Sequence, residues 1–301
     1  MSDLATAHKP VRVMLWGLPR SLTTVLAKCL SYVDGIYVIN EAFASAMTTG
    51  PEKEIQNAQG LESFMGNAAT IADANVEVQC WEDSICTFQW VKDTMEADYP
   101  GKKIIFCKDI VTSISNHLDM IPHGYRHTFI IRHPTKTFLS LRKVFIQNFL
   151  PPGIPSDQFQ LDVAMESGLK RENTFKIIAD LVKHLKEQGE ESCPVIVDAD
   201  DLQNHTASIL RQYCEAVGIP YNESLLQWEA GDDIIKKNWY VSKTFMVGNT
   251  IGNYYGAALS STKFNPASEP PSTSEIPQDV VRLSEQAMPY YEELYEMRLK
   301  P

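Results

Sequence analysis

The sequence predicts an α/β fold of three layers, with helices on both faces of a central, mostly parallel sheet. Short apolar runs rich in β-branched residues recur along the chain, as expected of strands that are buried on both faces. Longer segments with helical periodicity separate these runs. Strands that alternate with helices favour a doubly wound parallel sheet. Because no repeat and no clear linker divides the chain, residues 1–301 are expected to form a single domain.

The predicted strands, each a short apolar run, are residues 11–16, 36–39, 76–80, 103–107, 128–131 and 195–197. The segments with a helical pattern are residues 23–32, 61–73, 135–148, 162–187, 207–217 and 277–299. Pro134 suits the first turn of a helix, and Gly218 suits a helix end. Segments 149–157 and 243–274 are rich in residues that interrupt regular structure. The second of them is interpreted either as a lid over a binding site or as a surface excursion.

The composition is that of an acidic globular protein. Of 301 residues, 44% are hydrophobic, and the formal net charge is −11. An acidic chain is a poor general binder of nucleic acid or of anionic membranes, so neither is expected as a partner. The N-terminal residues are polar, no apolar run approaches the length of a membrane span, and the six cysteines are scattered. These features predict a soluble, cytoplasmic protein with reduced thiols and no structural zinc site.

The most informative segment joins the first predicted strand to the first predicted helix. It has the sequence Gly17-Leu-Pro-Arg-Ser-Leu-Thr-Thr24. A tight loop between a strand and a helix presents backbone N–H groups to an anion at the helix N-terminus. The hydroxyls of Ser21, Thr23 and Thr24 and the charge of Arg20 add to those groups. The loop is therefore predicted to bind a phosphate, although a plain capped turn would share the pattern.

The loop differs from the P-loop of nucleoside triphosphatases. That motif, G-x-x-x-x-G-K-[ST], places a lysine directly after its second glycine. Counted from Gly17, the chain has Leu22 in place of the second glycine and Thr23 in place of the lysine, and its cation stands earlier, at Arg20. The loop therefore favours a shorter anion held without a metal over a nucleoside triphosphate with Mg²⁺.

A second candidate anion site follows the predicted strand 128–131. Arg132 stands at the carboxyl end of that strand, which is where ligands of open α/β sheets bind. Ser140 comes eight residues later, two turns into the next helix. The two side chains are predicted to hold a second phosphate, with a surface arginine and an ordinary helix serine as the alternative.

Together the two sites resemble the sulfotransferase superfamily. The family's P-[KR]-S-x-[ST]-[ST] loop, which binds the 5′-phosphosulfate of PAPS (3′-phosphoadenosine-5′-phosphosulfate), is matched here by Pro19-Arg20-Ser21-Leu22-Thr23-Thr24. The family's 3′-phosphate pair, an arginine that ends a strand and a serine eight residues later, is matched by Arg132 and Ser140. Weaker similarities follow in family order at residues 195–202 and 245–253. The resemblance implies a P-loop-like sulfotransferase fold, PAPS as donor with PAP as product, and no required metal.

The resemblance also implies catalytic roles. Arg20 is expected to stabilise charge on the oxygen between phosphate and sulfate, because an arginine stays charged at neutral pH. Lys108 stands where the family has the lysine of Lys-Thr-His, and it is expected to neutralise the leaving group or the sulfonate. Ile110 replaces the family's histidine base. Glu41, which follows the second strand as in carbohydrate sulfotransferases, is the first candidate base, and Asp109 is the second.

Three functions stay open at the level of the sequence. The first is a PAPS-dependent sulfotransferase that acts on a hydroxyl or amine of a small molecule, with an aromatic or apolar acceptor suggested by the aromatic residues near the expected lid. The second is a P-loop kinase or other phosphotransferase that uses ATP and Mg²⁺. The third is a catalytically silent sulfotransferase-like protein, since the family's histidine and the basic residues of its late loop are absent. A homodimer is a further expectation.

Overall fold

The strands of the protein form one parallel sheet. The computed structural model describes residues 9–54, 78–150, 153–169, 173–244, 246, 255–269 and 271–301. The strands in these residues are β1 (Val11–Gly17), β2 (Ile36–Asn40), β3 (Gln79–Trp81), β4 (Ile104–Ile110), β5 (Arg126–Ile131), β6 (Val195–Asp198) and β7 (Trp239–Ser242). Their order in the sheet is β3-β7-β2-β4-β1-β5-β6, and each neighbouring pair is parallel.

Helices connect the strands and cover the sheet. In the described part of the chain they are α1 (Thr23–Leu30), α2 (Ala42–Thr48), α3 (Phe88–Glu96), α4 (Pro134–Phe149), α5 (Leu161–Leu169), α6 (Thr174–Glu187), α7 (Ala199–Asn204), α8 (Thr206–Val217), α9 (Asp233–Asn238), α10 (Gly256–Ser260) and α11 (Gln278–Glu296). Short 3₁₀ turns lie at Asp83–Ile85, Val111–Ser113, Leu118–Met120, Glu223–Leu226 and Thr273–Glu275. Within the described ranges, no helix combines the length and the apolar character that crossing a membrane requires.

Two hydrophobic cores lie on opposite faces of the sheet, which confirms the predicted three-layer α/β/α architecture. The alternation of side chains along β1 shows the division, because Met14 and Trp16 face one core whereas Val13 and Leu15 face the other. The first core receives apolar residues of α2, α3, α4, α6 and α11. The second receives those of α1, α7, α8 and α9. Each strand in the middle of the sheet is therefore apolar on both faces, as the sequence pattern predicts.

The helix boundaries follow local sequence signals. Pro134 occupies the first turn of α4, where a missing N–H costs nothing. Gly218 ends α8 in the left-handed conformation, with φ of 74°. The single helix predicted for residues 162–187 is wrong, because the structure has α5 and then a separate α6. Asn173 begins α6 by accepting hydrogen bonds from the N–H groups of Phe175 and Lys176.

Other elements depart from the predictions. The strand predicted at residues 76–80 is found at Gln79–Trp81, and β7 is an interior strand that the pattern did not predict. The predicted helix at 61–73 lies outside the described residues. In segment 243–274, the described residues include the short helix α10, so the whole segment is not an irregular loop.

The sheet topology brings four chain segments to one edge. The strands β2, β4, β1 and β5 are neighbours in that order, and all of them end on the same side. Glu41 follows β2, Lys108 lies near the end of β4, the loop 18–22 follows β1, and Arg132 follows β5. Neighbouring strands lie about 4.8 Å apart. The predicted donor-binding and catalytic residues therefore share one edge of the sheet, which is the binding edge of open α/β folds.

Candidate functional site

The loop between β1 and α1 has a strained backbone. Arg20 has φ of 73° and Leu22 has φ of 68°, both in the left-handed region that residues other than glycine rarely adopt. Leu22 is the N-cap of α1 and supplies no side-chain hydrogen bond to the helix. The first N–H groups of this helix consequently have no capping side chain, and an anion is their natural partner.

Close packing shapes the base of this loop. A Cβ atom on Gly17 would lie 2.5 Å from Cγ2 of Thr23 and 2.9 Å from Cγ2 of Ile130, so only glycine fits there. The hydroxyl of Ser21 donates to the carbonyl of Leu18 at 2.6 Å and helps to fold the loop on itself. Ser21 and Thr23 are buried. Pro19 and Thr24 are half-buried, so they remain accessible at the mouth of the loop.

Arg20, Arg132 and Ser140 form one cluster, although the sequence presents them as two sites. The Nε of Arg20 donates to Oγ of Ser140 at 3.0 Å. The Nη1 of Arg132 donates to the backbone carbonyl of Arg20, also at 3.0 Å. Two guanidinium groups thus converge on the loop at the start of α1. Of the cluster's side-chain atoms, Nε of Arg132 is buried with no hydrogen-bond partner among the described residues.

The two positive charges of this cluster, on Arg20 and Arg132, favour the binding of an anion. Burial lowers the pKa of Arg20, and the nearby charge of Arg132 lowers it further. Burial also lowers the pKa of Arg132, although the carboxylates of Asp200 and Asp198 oppose the change. Two like charges held together at a helix N-terminus are stabilised when a ligand brings negative charge. The cluster therefore suits a ligand with more than one anionic group.

Glu41 and Lys108 form a buried ion pair at the same edge of the sheet. The Nζ of Lys108 donates to Oε1 of Glu41, and the two side chains are 2% and 8% exposed. Glu41 has φ of 57° and is the N-cap of α2, and its own N–H donates to the carbonyl of Lys108 at 2.7 Å. The hydroxyl of Tyr255 donates to Oε2 of Glu41 at 2.5 Å. Both carboxylate oxygens are therefore held in place.

Asp109, the second candidate base, caps a helix instead. Its carboxylate accepts the N–H groups of Phe43 and Ala44 at 2.7 and 3.1 Å, at the start of α2. It also accepts the N–H of Ile110 at 2.8 Å and the hydroxyl of Ser113 at 3.1 Å. Burial raises the pKa of Asp109 to about 7, and the charge of Glu41 adds to the rise. These four hydrogen bonds give Asp109 a structural role at the start of α2.

Two further residues of this network, Tyr255 and Asn40, are marked by no motif of the sequence. Tyr255 is one of the aromatic residues near the expected lid, and Asn40 ends β2. The Nδ2 of Asn40 donates to the hydroxyl of Tyr255 at 3.1 Å, so the two extend the network around Glu41. Periodicity could not reveal this contact, because Tyr255 meets Glu41 across 214 positions of the sequence.

Several residues outside this network have other environments. His127 lies in the core, where its Nδ1 accepts the indole N–H of Trp16 at 3.1 Å. Lys243 forms an ion pair with Glu82 at 3.2 Å. Apart from Met246, the similarity at residues 245–253 lies outside the described residues. Within the part of the chain that the structure describes, no group of three or more His, Cys, Asp or Glu residues could hold a metal, and the expectation of metal-free chemistry stays a prediction.

Comparison with known proteins supports the resemblance drawn from the motifs. The model of a sulfotransferase domain matches residues 187–297. This match confirms the similarity to sulfotransferases. It extends from the last residue of α6 to the residue after α11 and does not include the loop at 18–22.

Two curated relatives from Arabidopsis thaliana also match. Branched-chain-amino-acid aminotransferase-like protein 2 is 25% identical over 75% of the chain, and branched-chain-amino-acid aminotransferase-like protein 1 is 24% identical over 78%. The chain spans only about a third of the length of these relatives, 34% and 36% respectively.

Several solved structures are similar at low identity. The sulfotransferase domain from the curacin biosynthetic pathway is 13% identical with a TM-score of 0.48, and the alignment covers 93% of this chain and 98% of that one. A sulfotransferase from Alicyclobacillus acidocaldarius is 12% identical with a TM-score of 0.45, covering 84% and 97%. Mouse sulfotransferase SULT7A1 complexed with PAP is 11% identical with a TM-score of 0.42, covering 95% and 83%. The site assignment does not rest on likenesses of this degree.

Proposed function

With residues 187–297 matching a sulfotransferase domain, we propose that the protein transfers a sulfuryl group from PAPS to a hydroxyl or amine of a small molecule. One observation carries the proposal. Arg20, Arg132 and Ser140 meet at the uncapped start of α1, on the sheet edge that also holds the ion pair of Glu41 and Lys108. Anion-binding groups and a proton acceptor are thus combined at a single edge.

The chain's own residues fit the two anionic ends of PAPS. The loop 18–22 and the first turn of α1 would hold the 5′-phosphosulfate, with Arg20 as the cation and Ser21, Thr23 and Thr24 lining the loop. Arg132 and Ser140 would hold the 3′-phosphate. The unpartnered Nε of Arg132 supports this fit, because a buried donor without a partner is costly and a phosphate oxygen would satisfy it.

The donor supplies the sulfuryl group when bound, and that group leaves the bridging phosphate oxygen for the acceptor oxygen or nitrogen. Arg20 stabilises the negative charge that grows on the bridging oxygen, and it does so as a fixed charge since arginine does not release a proton at neutral pH. Lys108 offers a second positive charge at the neighbouring strand end. Glu41 accepts the proton that the acceptor hydroxyl or amine loses.

The ion pair leaves Glu41 able to accept a proton. A carboxylate has about four lone-pair positions, and Lys108 and Tyr255 use one on each oxygen. In the proposed reaction, the acceptor hydroxyl would use one of the remaining positions.

Turnover of labelled PAPS by the Glu41→Gln variant tests this function. We expect the wild-type protein to transfer label to components of a pooled metabolite extract, identified by mass spectrometry, with small aromatic or apolar acceptors among them. Loss of a general base costs about 10²–10⁴-fold in rate, whereas PAP affinity measured by calorimetry should stay within a few-fold. Glu215→Gln, at an exposed position of α8, is the matched control and should keep full turnover.

Three results would contradict the proposal or one of its parts. Normal turnover in folded Glu41→Gln protein would remove Glu41 as the base. Transfer of phosphate from ATP and Mg²⁺, with no transfer from PAPS, would favour the kinase alternative. PAP binding without any turnover of PAPS would favour the catalytically silent alternative.

A further inference from the structure

We propose that Tyr255 is a positioning residue, which orients the Glu41 carboxylate to accept a proton. This inference rests on the proposed function, in which Glu41 is the base. It assigns a role to a residue of the late segment, far in sequence from the phosphate loop, and it links that segment to the chemistry at the end of β2.

The direction of the hydrogen bonds carries the first step. The hydroxyl of Tyr255 donates to Oε2 of Glu41 at 2.5 Å, and it accepts from Nδ2 of Asn40 at 3.1 Å. Because Asn40 occupies a lone pair of the hydroxyl, the hydroxyl proton is directed to the carboxylate. Burial raises the pKa of Tyr255 well above its ordinary value, and the Glu41 charge raises it further, so the hydroxyl remains a donor.

The position of Tyr255 is fixed by the helix that follows it. Tyr255 is buried and directly precedes α10. At the other end of α10, the buried Nζ of Lys28 donates to the carbonyls of Ala258, Leu259 and Ser261 at 3.0, 2.8 and 3.1 Å. Lys28 belongs to α1, the helix that begins at the phosphate loop. The helix proposed to bind the donor therefore also fixes the segment that delivers Tyr255 to the base.

The contact with Tyr255 also fixes the orientation of the Glu41 carboxylate. Lys108 holds one carboxylate oxygen and Tyr255 holds the other, so the two donors set the plane of the carboxylate. Within the described residues, the charged and titratable groups that interact with Glu41 are Lys108 and Asp109 of β4 together with Tyr255. The Tyr255 hydroxyl is one of the two donors to this carboxylate, so its removal should leave Oε2 without the donor that orients it.

A titration of the protein without ligand tests the inference directly. Glutamate labelled with ¹³C at Cδ reports the carboxyl groups by NMR, and the Glu41 signal is the one missing from Glu41→Gln. In Tyr255→Phe we expect the Glu41 titration midpoint to rise by about one to two pH units, as a hydrogen bond to a charged group predicts. Tyr213→Phe is the matched control, because it removes another buried hydroxyl, bonded to Thr128 at 3.0 Å. It should leave the midpoint unchanged.

Turnover gives a second readout that separates this inference from the proposed function. With PAPS and an acceptor, Tyr255→Phe should lower kcat by about tenfold or more and move the acid limb of the pH–rate profile upward, with PAP affinity unchanged. A midpoint that does not move in folded Tyr255→Phe, or one that moves equally in Tyr213→Phe, overturns the inference. A shifted midpoint in a protein without turnover would support the role of Tyr255 in holding the carboxylate while contradicting the sulfotransferase activity.

Discussion

Backbone strain marks the site at the scale of single residues. Among the described residues, the non-glycine positions with positive φ are Arg20, Leu22 and Glu41. A residue in such a conformation costs on the order of 1–3 kcal/mol and persists only where its surroundings enforce it. All three positions are at the candidate site, so the fold accepts local strain at the positions where donor binding and proton transfer are proposed.

Replacement of Arg20 tests the proposed charge stabilisation. Arg20→Ala should lower the turnover of PAPS at least about 100-fold, as loss of a donor to a developing negative charge does in other enzymes. PAP affinity should fall by a smaller factor, because Arg132 and the N–H groups of α1 remain. The measurement is kcat under saturating PAPS, and Arg211→Ala, which removes an exposed arginine of α8, serves as the control. Near-normal kcat in a folded Arg20→Ala protein would refute the role.

The residues near the loop could be predicted from the sequence, whereas Tyr255 could not. Arg20, Arg132 and Ser140 stand directly after strands or in a helix that follows one, so a strand pattern is enough to locate them. What joins them into one cluster is the adjacency of β1 and β5 in the sheet. Tyr255 depends on a contact between distant segments, and its flanking sequence has no periodicity that predicts its position.

At the scale of elements, α1 connects two parts of the site. Its N-terminus faces the proposed donor, and its Lys28 fastens α10 through three carbonyls. Burial lowers the pKa of Lys28, and the carbonyl contacts compensate for the water that its ammonium group loses. A lysine of a helix normally lies on the side that faces solvent. Lys28 is instead completely buried, and its ammonium group donates to three carbonyls rather than to water.

Removal of the tether should loosen α10. Lys28→Met keeps much of the side-chain volume but leaves the carbonyls of Ala258, Leu259 and Ser261 without their donor. We expect the free energy of unfolding to fall by roughly 1–3 kcal/mol and amide exchange in residues 256–261 to become faster. Urea unfolding and hydrogen-exchange mass spectrometry measure the two effects. Lys183→Met, at an exposed position of α6, should change neither, and unaltered exchange in Lys28→Met would show that α10 is held by other contacts.

The elements that the sequence failed to predict have a common cause. β7 is only four residues long, Trp239–Ser242, and follows a charged helix, so no long apolar run marks it. The break between α5 and α6 contains no proline or glycine, and the cap at Asn173 lies inside a continuous helical pattern. Patterns of apolar residues predict long elements well, whereas tertiary contacts decide short ones and the points where helices divide.

Across the whole molecule, the buried His127 ties stability to pH. Burial lowers its pKa to about 4, with slight opposition from Glu190. In the unfolded chain His127 binds a proton near pH 6.5, whereas in the native protein it stays neutral down to about pH 4. The free energy of unfolding therefore decreases as the pH falls from 6.5 to 4. Buried Asp109 and Asp198, whose pKa values rise to about 7 and about 6, act in the opposite direction. The contribution of His127 to the pH dependence of stability is therefore measured by comparison with a variant that lacks this histidine.

The informative variant is His127→Gln, which keeps an acceptor for Trp16 without a titrating group. Between pH 7 and pH 5 the wild type should lose about 2 kcal/mol of unfolding free energy relative to this variant. Urea unfolding at the two pH values provides the difference. Parallel pH dependence in the two proteins would mean that His127 has the same pKa in the native protein as in the unfolded chain, which would contradict the prediction.

The position of β7 has a consequence for how the molecule is assembled during synthesis. β3 is hydrogen-bonded in the sheet to β7, and β7 also pairs with β2, so the last strand made stands between two that are made early. On the ribosome, β2 would emerge with both edges bare. Pairing with β4 would cover one edge, and the other would stay bare until roughly 200 residues beyond β2 had been added. Chaperones that cover exposed strand edges would therefore be needed for the longest time at this edge of β2, next to Glu41.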